Sequence, residues 1–343
     1  MFRGCYTALI TPMLSNYEID FDGLETLVDF QIAQGTNGIL AVGTTGESAT
    51  LEHEEQTAVT KRVYACCTER SMVIAGTGCN STRKAIENTK KAYDIGVRAV
   101  LLVDPYYNGP SSLEIRREYI EPIAEKFPEV QIIPYVIPGR TGTQLLPQDI
   151  AILHRQCVNV QAVKESTGDF ENMKLIRRLC GQQFYILSGD DDKTFRMMTD
   201  IEIKASGVIS VVSNIAPAAV QKMTSLILEG KADDAKNLCE KLNPLFQIVT
   251  VKTTEETPFG NAIVKARNPL PCKTLMNVLG MPSGPLRQPL GKMTKKGLEV
   301  VLKAAREVYE KSPEILKPVE EFFDVDLSER LYKEKFWEGL TYD

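Results

Sequence analysis

Residues 38–70 read GILAVGTTGESATLEHEEQTAVTKRVYACCTER. A short apolar run leads into a turn of glycines and hydroxyls, and a helical pattern follows. The run has no polar face, which suits a strand covered on both sides. The same order recurs along the chain. CYTALITP, GILAVGTT, VIAGTG, AVLLVDP, QIIPYVIP, VQAVKES, FYILSGD and GVISVVSN follow one another through the first two thirds. Helical patterns such as FDGLETLVDFQIAQG, STRKAIENTKKAYDIG and DFENMKLIRRLCG lie between them. Such alternation implies parallel strands joined by crossover helices. Eight units predict an α/β fold, a closed (β/α)8 TIM barrel, rather than an open doubly wound sheet. No GxGxxG follows the first strand, so a dinucleotide-binding sheet loses its main support.

The barrel is expected over residues 1–225. The stretches 217–249 and 293–312 read as helices with no strands between them, which gives a C-terminal helical region over 226–311. Residues 312–343 form a charged extension holding the only tryptophan, Trp337. That extension reads as a surface segment strapped onto its own helical region, with a part in oligomer assembly as the alternative.

Composition bounds the function. The chain has 343 residues, 43% hydrophobic and 25% charged, enough to bury a large core. A net charge of −5 argues against nucleic acid or an anionic membrane as the main partner. No apolar run approaches the ~20 residues of a membrane span, and MFRGCYTALITP leaves no room for a signal peptide. A cytoplasmic enzyme or binding protein is expected. The eight cysteines form no CxxC pair and no Cys/His cluster, so reduced thiols are expected. With only His53 and His154, zinc sites and histidine-centred triads have little to work with.

In a TIM barrel the active site forms at the C-terminal strand ends. Those ends carry Thr11, then Thr44-Thr45-Gly46-Glu47, Thr77-Gly78 and Tyr106-Tyr107-Asn108. Next come Tyr135 with Arg140 beyond it, Lys164, Gly189-Asp190-Asp191 and Ile209-Ser210. Lys164 is the one lysine among them and stands in an otherwise apolar strand. Burial there would lower its pKa and free the amine to form a Schiff base with a ketone. Hydroxyls of Thr and Tyr can relay the protons. The competing reading is a structural lysine paired with a carboxylate. Glu165 is a poor partner, because neighbouring strand residues face opposite sides. GTTGES can bind an anion through free backbone N–H groups, or can simply cap the next helix. The acids of SGDDDK read as capping groups more readily than as a metal site. Arg140 in PGRTG is either a bidentate carboxylate binder or an ordinary loop arginine.

GTTGESATLEHEE, GTG at 76–78, PYYN, YVIPGRTG, VKEST, LSGDD, GVISV and RNPLPCKTLMNVLGMPSGPLRQPL occur in order. In these motifs the chain resembles the pyruvate-dependent class I aldolases, the family of dihydrodipicolinate synthase and N-acetylneuraminate lyase, from residue 1 to about 310. The resemblance implies that Lys164 captures pyruvate as an imine. It implies a proton relay of Thr44, Tyr107 and Tyr135, with Tyr135 nearest the imine. Tyr107 would complete the site of a neighbouring subunit, so a dimer, usually within a tetramer, is expected. Thr45 would hold the pyruvate carboxylate, largely through its backbone N–H, and Arg140 the carboxylate of L-aspartate 4-semialdehyde. The main-chain carbonyls of Gly189 and Ile209 would line the same site. The implied reaction is the synthase condensation that commits carbon to diaminopimelate and lysine, with no cofactor or metal. A lyase for another 2-keto acid, or a silent small-molecule binding protein, are the alternatives. Arg140 favours the synthase, because the sugar-acid lyases generally lack it.

Lysine-inhibited members bind lysine through residues matching Ser48, Ala49, His53, Asn80 and Tyr106, with an acid on its ammonium. Here the acidic position is Lys84, and Gln56 stands where histidine is frequent. A cation facing a cation predicts weak or absent feedback by lysine.

Overall fold

The computed structural model describes residues 2–68 and 70–342. Glu69, near the end of the helical stretch quoted above, lies outside them. Eight parallel strands close a barrel: β1 Gly4–Ala8, β2 Gly38–Ala41, β3 Met72–Gly76, β4 Ala99–Val103, β5 Gln131–Val136, β6 Ala162–Glu165, β7 Tyr185–Ser188 and β8 Gly207–Ser210. Closure is direct, with Tyr6 of β1 opposite Ile209 of β8. The (β/α)8 architecture expected from the eight apolar runs is the one observed.

Period two along each strand sends alternate side chains inward. Tyr6, Ala8, Leu40, Ile74, Leu101, Ile133, Tyr135, Ala162, Leu187 and Ile209 pack together inside the barrel. A larger apolar shell lies between strands and helices. Ala162 points into the barrel, so Lys164, two residues on, does so as well. Glu165 faces the other way, accepting from Thr167 Oγ1 and, at 3.1 Å, from Asn172 Nδ2.

The C-terminal region departs from expectation. Helices Pro217–Leu228, Ala232–Gln247, Leu270–Leu279 and Lys295–Lys311 are present, but strands stand between them. β9 Thr250–Thr257 and β10 Gly260–Arg267 form an antiparallel hairpin, with Thr250 opposite Arg267 at its base. The physical reason is exposure. Most of both strands face water, and Phe259 at the turn is fully exposed. The apolar alternation that marks a half-buried strand is therefore missing from its sequence.

The extension after Ser312 folds against its own chain. Leu316, Val319, Leu327 and Leu331 are wholly buried. Phe322 and Phe323 lie 5.1 and 5.0 Å, centroid to centroid, from Phe30 on the first barrel helix, Phe21–Ala33. Arg330 Nε donates to the carbonyl of Val278 at 2.8 Å, near the end of helix Leu270–Leu279.

Candidate active site

Lys164 is 5% exposed and stands directly opposite Tyr135 in the β5–β6 ladder. Its Nζ lies 4.3 Å from the centroid of the Tyr135 ring. Among the described residues the amine makes no hydrogen bond and no ion pair. Burial pulls its pKa from the ordinary 10.5 to about 8. The charges of Asp190 and Asp191 oppose the fall, and Arg140 adds to it. At pH 7.4 roughly a fifth of such an amine is unprotonated, against about 0.1% for a free lysine. Burial also pushes the Tyr135 hydroxyl up to about 12, so it keeps its proton at neutral pH.

Gly189 closes one side of this centre. A Cβ there would lie 1.9 Å from Ser166 Oγ and 2.9 Å from Lys164 Cε. Only a residue without a side chain lets the backbone approach the lysine so closely. Ile209 is fully buried in the barrel interior. Asp191 is also buried and accepts from the N–H groups of Val211 and Val212 at 2.9 and 3.2 Å. It thus caps the turn after β8. Among the described residues no group of three or more His, Cys, Asp or Glu is placed to hold a metal.

Above the strands lies a cavity of about 810 Å³, lined by Thr44, Tyr106, Ile137, Arg140 and Asn268 among others. Ser48, His53, Asn80 and Lys84 line the same space. Thr45 is buried beside it, its Oγ1 accepting from Asn268 Nδ2 at 2.9 Å. Arg140 leaves the short helical turn Pro138–Thr141 at the mouth, and its Nη2 donates to the Asn268 carbonyl at 2.9 Å. The structure thus pairs Lys164 with Tyr135, sets Gly189 against them, and brings Thr44 and Arg140 to one cavity. Tyr107 is not brought in. It is 91% exposed, with φ at 82°.

Two residues at this mouth carried no role in the sequence reading. Asn268 bridges Thr45 and Arg140. Lys273, fully buried, donates to Glu47 Oε1 at 2.6 Å, Pro285 O at 2.8 Å and Thr11 O at 3.0 Å. The signal was available, since Lys273 is a lysine in the apolar run PLPCKTLMNVL.

The dihydrodipicolinate synthetase family model matches residues 1–308. The chain belongs to that family. It is 39% identical over 306 residues to the 4-hydroxy-tetrahydrodipicolinate synthase of Methanocaldococcus jannaschii, covering 88% of this chain and 98% of the relative. To the synthase of Geobacter metallireducens it is 40% identical over 308 residues, with the same two coverages. The solved synthase of Methylacidiphilum fumariolicum superposes with a TM-score of 0.83 at 34% identity, over 94% of this chain and 99% of that one. The family match ends at residue 308, so the extension after Ser312 lies beyond it. No described helix is long and apolar enough to cross a membrane.

Proposed function

We propose that this member of the dihydrodipicolinate synthetase family condenses pyruvate with L-aspartate 4-semialdehyde through an imine on Lys164. The observation that carries the reading is the buried Lys164 amine, unpaired and with its pKa drawn down to about 8. A free amine adds to the pyruvate ketone, water leaves, and the iminium draws electrons from the neighbouring carbon. Loss of a proton from that carbon gives an enamine, which attacks the aldehyde carbonyl. The new alkoxide takes up a proton. Tyr135, whose ring lies 4.3 Å from the Lys164 nitrogen and whose hydroxyl keeps its proton at neutral pH, is assigned here as the donor beside the imine.

In this reading Thr45 holds the pyruvate carboxylate and Arg140 the carboxylate of the aldehyde. The backbone of Gly189 and Ile209 lines the pocket, and Thr44 and Tyr107 complete the relay. Tyr107 is the reason to propose a dimer, as an exposed tyrosine held in the left-handed region suits a contact with a second copy. All eight cysteines are free, which fits the reducing cytoplasm.

The test is incubation with pyruvate and borohydride. An adduct of the reduced imine at Lys164, located by mass, is expected; an unmodified Lys164 defeats the assignment. Lys84 shares a cavity with Ser48, His53, Asn80 and Tyr106, so lysine should be a weak inhibitor. Half-maximal inhibition by submillimolar lysine would show the opposite.

A further inference from the structure

The turn that carries Thr45 is held from outside the barrel. Asn268 lies where β10 gives way to helix Leu270–Leu279, and it is 7% exposed. Its Nδ2 donates to Thr45 Oγ1, while its Oδ1 is buried without a partner. A buried unpaired oxygen is a cost that an apolar side chain would avoid. On the same turn Glu47 has φ at 58°, in the left-handed region. Its two carboxylate oxygens are fixed by Lys273 Nζ and, at 2.9 Å, by the N–H of Arg287. On the other side of the mouth, the Asn268 carbonyl accepts from Arg140, and Arg267 Nη1 donates to the Gly139 carbonyl at 3.0 Å. One short segment therefore touches both turns assigned to substrate carboxylates.

A hydroxyl has one hydrogen to give. When Thr45 Oγ1 accepts from Asn268, that hydrogen is free to turn toward an anion in the cavity. We propose that Asn268 is a positioning residue for the pyruvate subsite, setting the Thr45 hydroxyl as a donor to the substrate carboxylate. The proposal rests on the reading of Lys164 and Thr45 given above and deepens it. An aspartate at 268 would reverse the arrangement. It cannot donate, it would draw the Thr45 hydrogen to itself, and it would set a negative charge beside the pyruvate carboxylate.

The experiment measures the pyruvate concentration that half-saturates borohydride trapping at Lys164, together with the melting temperature. It compares wild type, N268A, N268S, N268D, T45V and N268A/T45V. N268A should raise the half-saturating concentration about tenfold, the scale of one hydrogen bond, with the trapping rate at saturating pyruvate unchanged. N268D should raise it further. T45V should raise it as well, and the double variant should be no worse than T45V alone, because both changes remove the same contact. Half-saturation in N268A equal to wild type, or additive effects of N268A and T45V, overturns the proposal. If N268A does not fold, N268S and N268D decide the matter by the same comparison. A wild type that traps at Lys164 while N268A matches it refutes this inference alone. A wild type with no adduct at Lys164 removes the assignment beneath it and the inference together.

Discussion

Replacing Lys164 with methionine should abolish imine formation and make the protein more stable at neutral pH. Folding carries Lys164 into a site that lowers its pKa from 10.5 to about 8. At ~1.36 kcal/mol per pH unit, holding the protonated amine there costs about 3 kcal/mol. The sign follows from linkage. The folded pKa is depressed for a base, so the unfolded chain binds the proton more tightly. The cost is complete below pH 8 and fades as pH rises from 8 toward 10.5. Methionine is unbranched like lysine, one atom shorter, and leaves no charge to bury. The lost contact with the Tyr135 ring offsets about 1 kcal/mol, so K164M should gain about 2 kcal/mol at pH 7. For a chain of 343 residues, with an unfolding entropy of ~2.1 cal/mol/K per residue, that is about 3 °C in Tm. Urea titration and calorimetry at pH 7 and pH 10, at one fixed protein concentration, check both parts. The gain should shrink by most of its size at pH 10. A K164M protein less stable than wild type at pH 7, or a difference insensitive to pH, would refute the reasoning.

Four further outcomes follow from the same geometry. Trapping at limiting pyruvate should rise tenfold per pH unit below pH 8 and level off above it, since only the free amine attacks. D190N should move that limb to lower pH, because the Asp190 charge holds the proton on Lys164; stopped-flow pH profiles of both proteins decide it. G189A sets a methyl carbon 2.9 Å from Lys164 Cε and should slow trapping about 100-fold, the scale of an ångström's misplacement. Its circular dichroism should stay native, and unimpaired trapping would count against a tight fit. Truncation after Ser312 removes four wholly buried side chains, worth about 8 kcal/mol at ~2 kcal/mol each. That is close to a domain's whole margin, so the shortened chain should be insoluble or lose cooperative melting; an unaltered transition would show that the extension adds nothing.

The barrel was legible because its strands are buried on both faces, and burial on both faces writes an unbroken apolar run. The hairpin Thr250–Arg267 was not, because its faces meet water and its Thr, Lys and Glu residues spell no period. The tail hides its packing differently. Charges dominate it, and its buried residues fall in pieces too short to show a stripe. At the site, lysine in an apolar run was a true sign of burial but not of chemistry. Lys164 and Lys273 share it. They part only in three dimensions, where Lys273 has three acceptors and Lys164 has none among the described residues. Asn268 was beyond reach of the sequence, since its partners Thr45 and Arg140 lie 223 and 128 residues away.

That distance says how the site is built. Lys164 and Tyr135 are neighbours in a β ladder, so barrel register alone fixes their contact. The turns at 43–48 and 138–141 have no ladder to fix them, yet in this reading they meet the charged ends of both substrates. They are held instead by contacts from outside: Lys273 and the Arg287 N–H on Glu47, Asn268 on Thr45 and Arg140, and Arg267 on the Gly139 carbonyl. Asn268 is in turn fixed at the base of the hairpin, where its N–H donates to the Val249 carbonyl at 3.0 Å and Thr250 faces Arg267. The exposed tip at Phe259 plays no part in that anchorage. On this assignment, chemistry depends on strand register inside the barrel, whereas the spacing between the proposed carboxylate subsites depends on the hairpin base outside it. Substitutions at the base should therefore alter half-saturation before they alter the reaction at Lys164, while the tip can change without touching either.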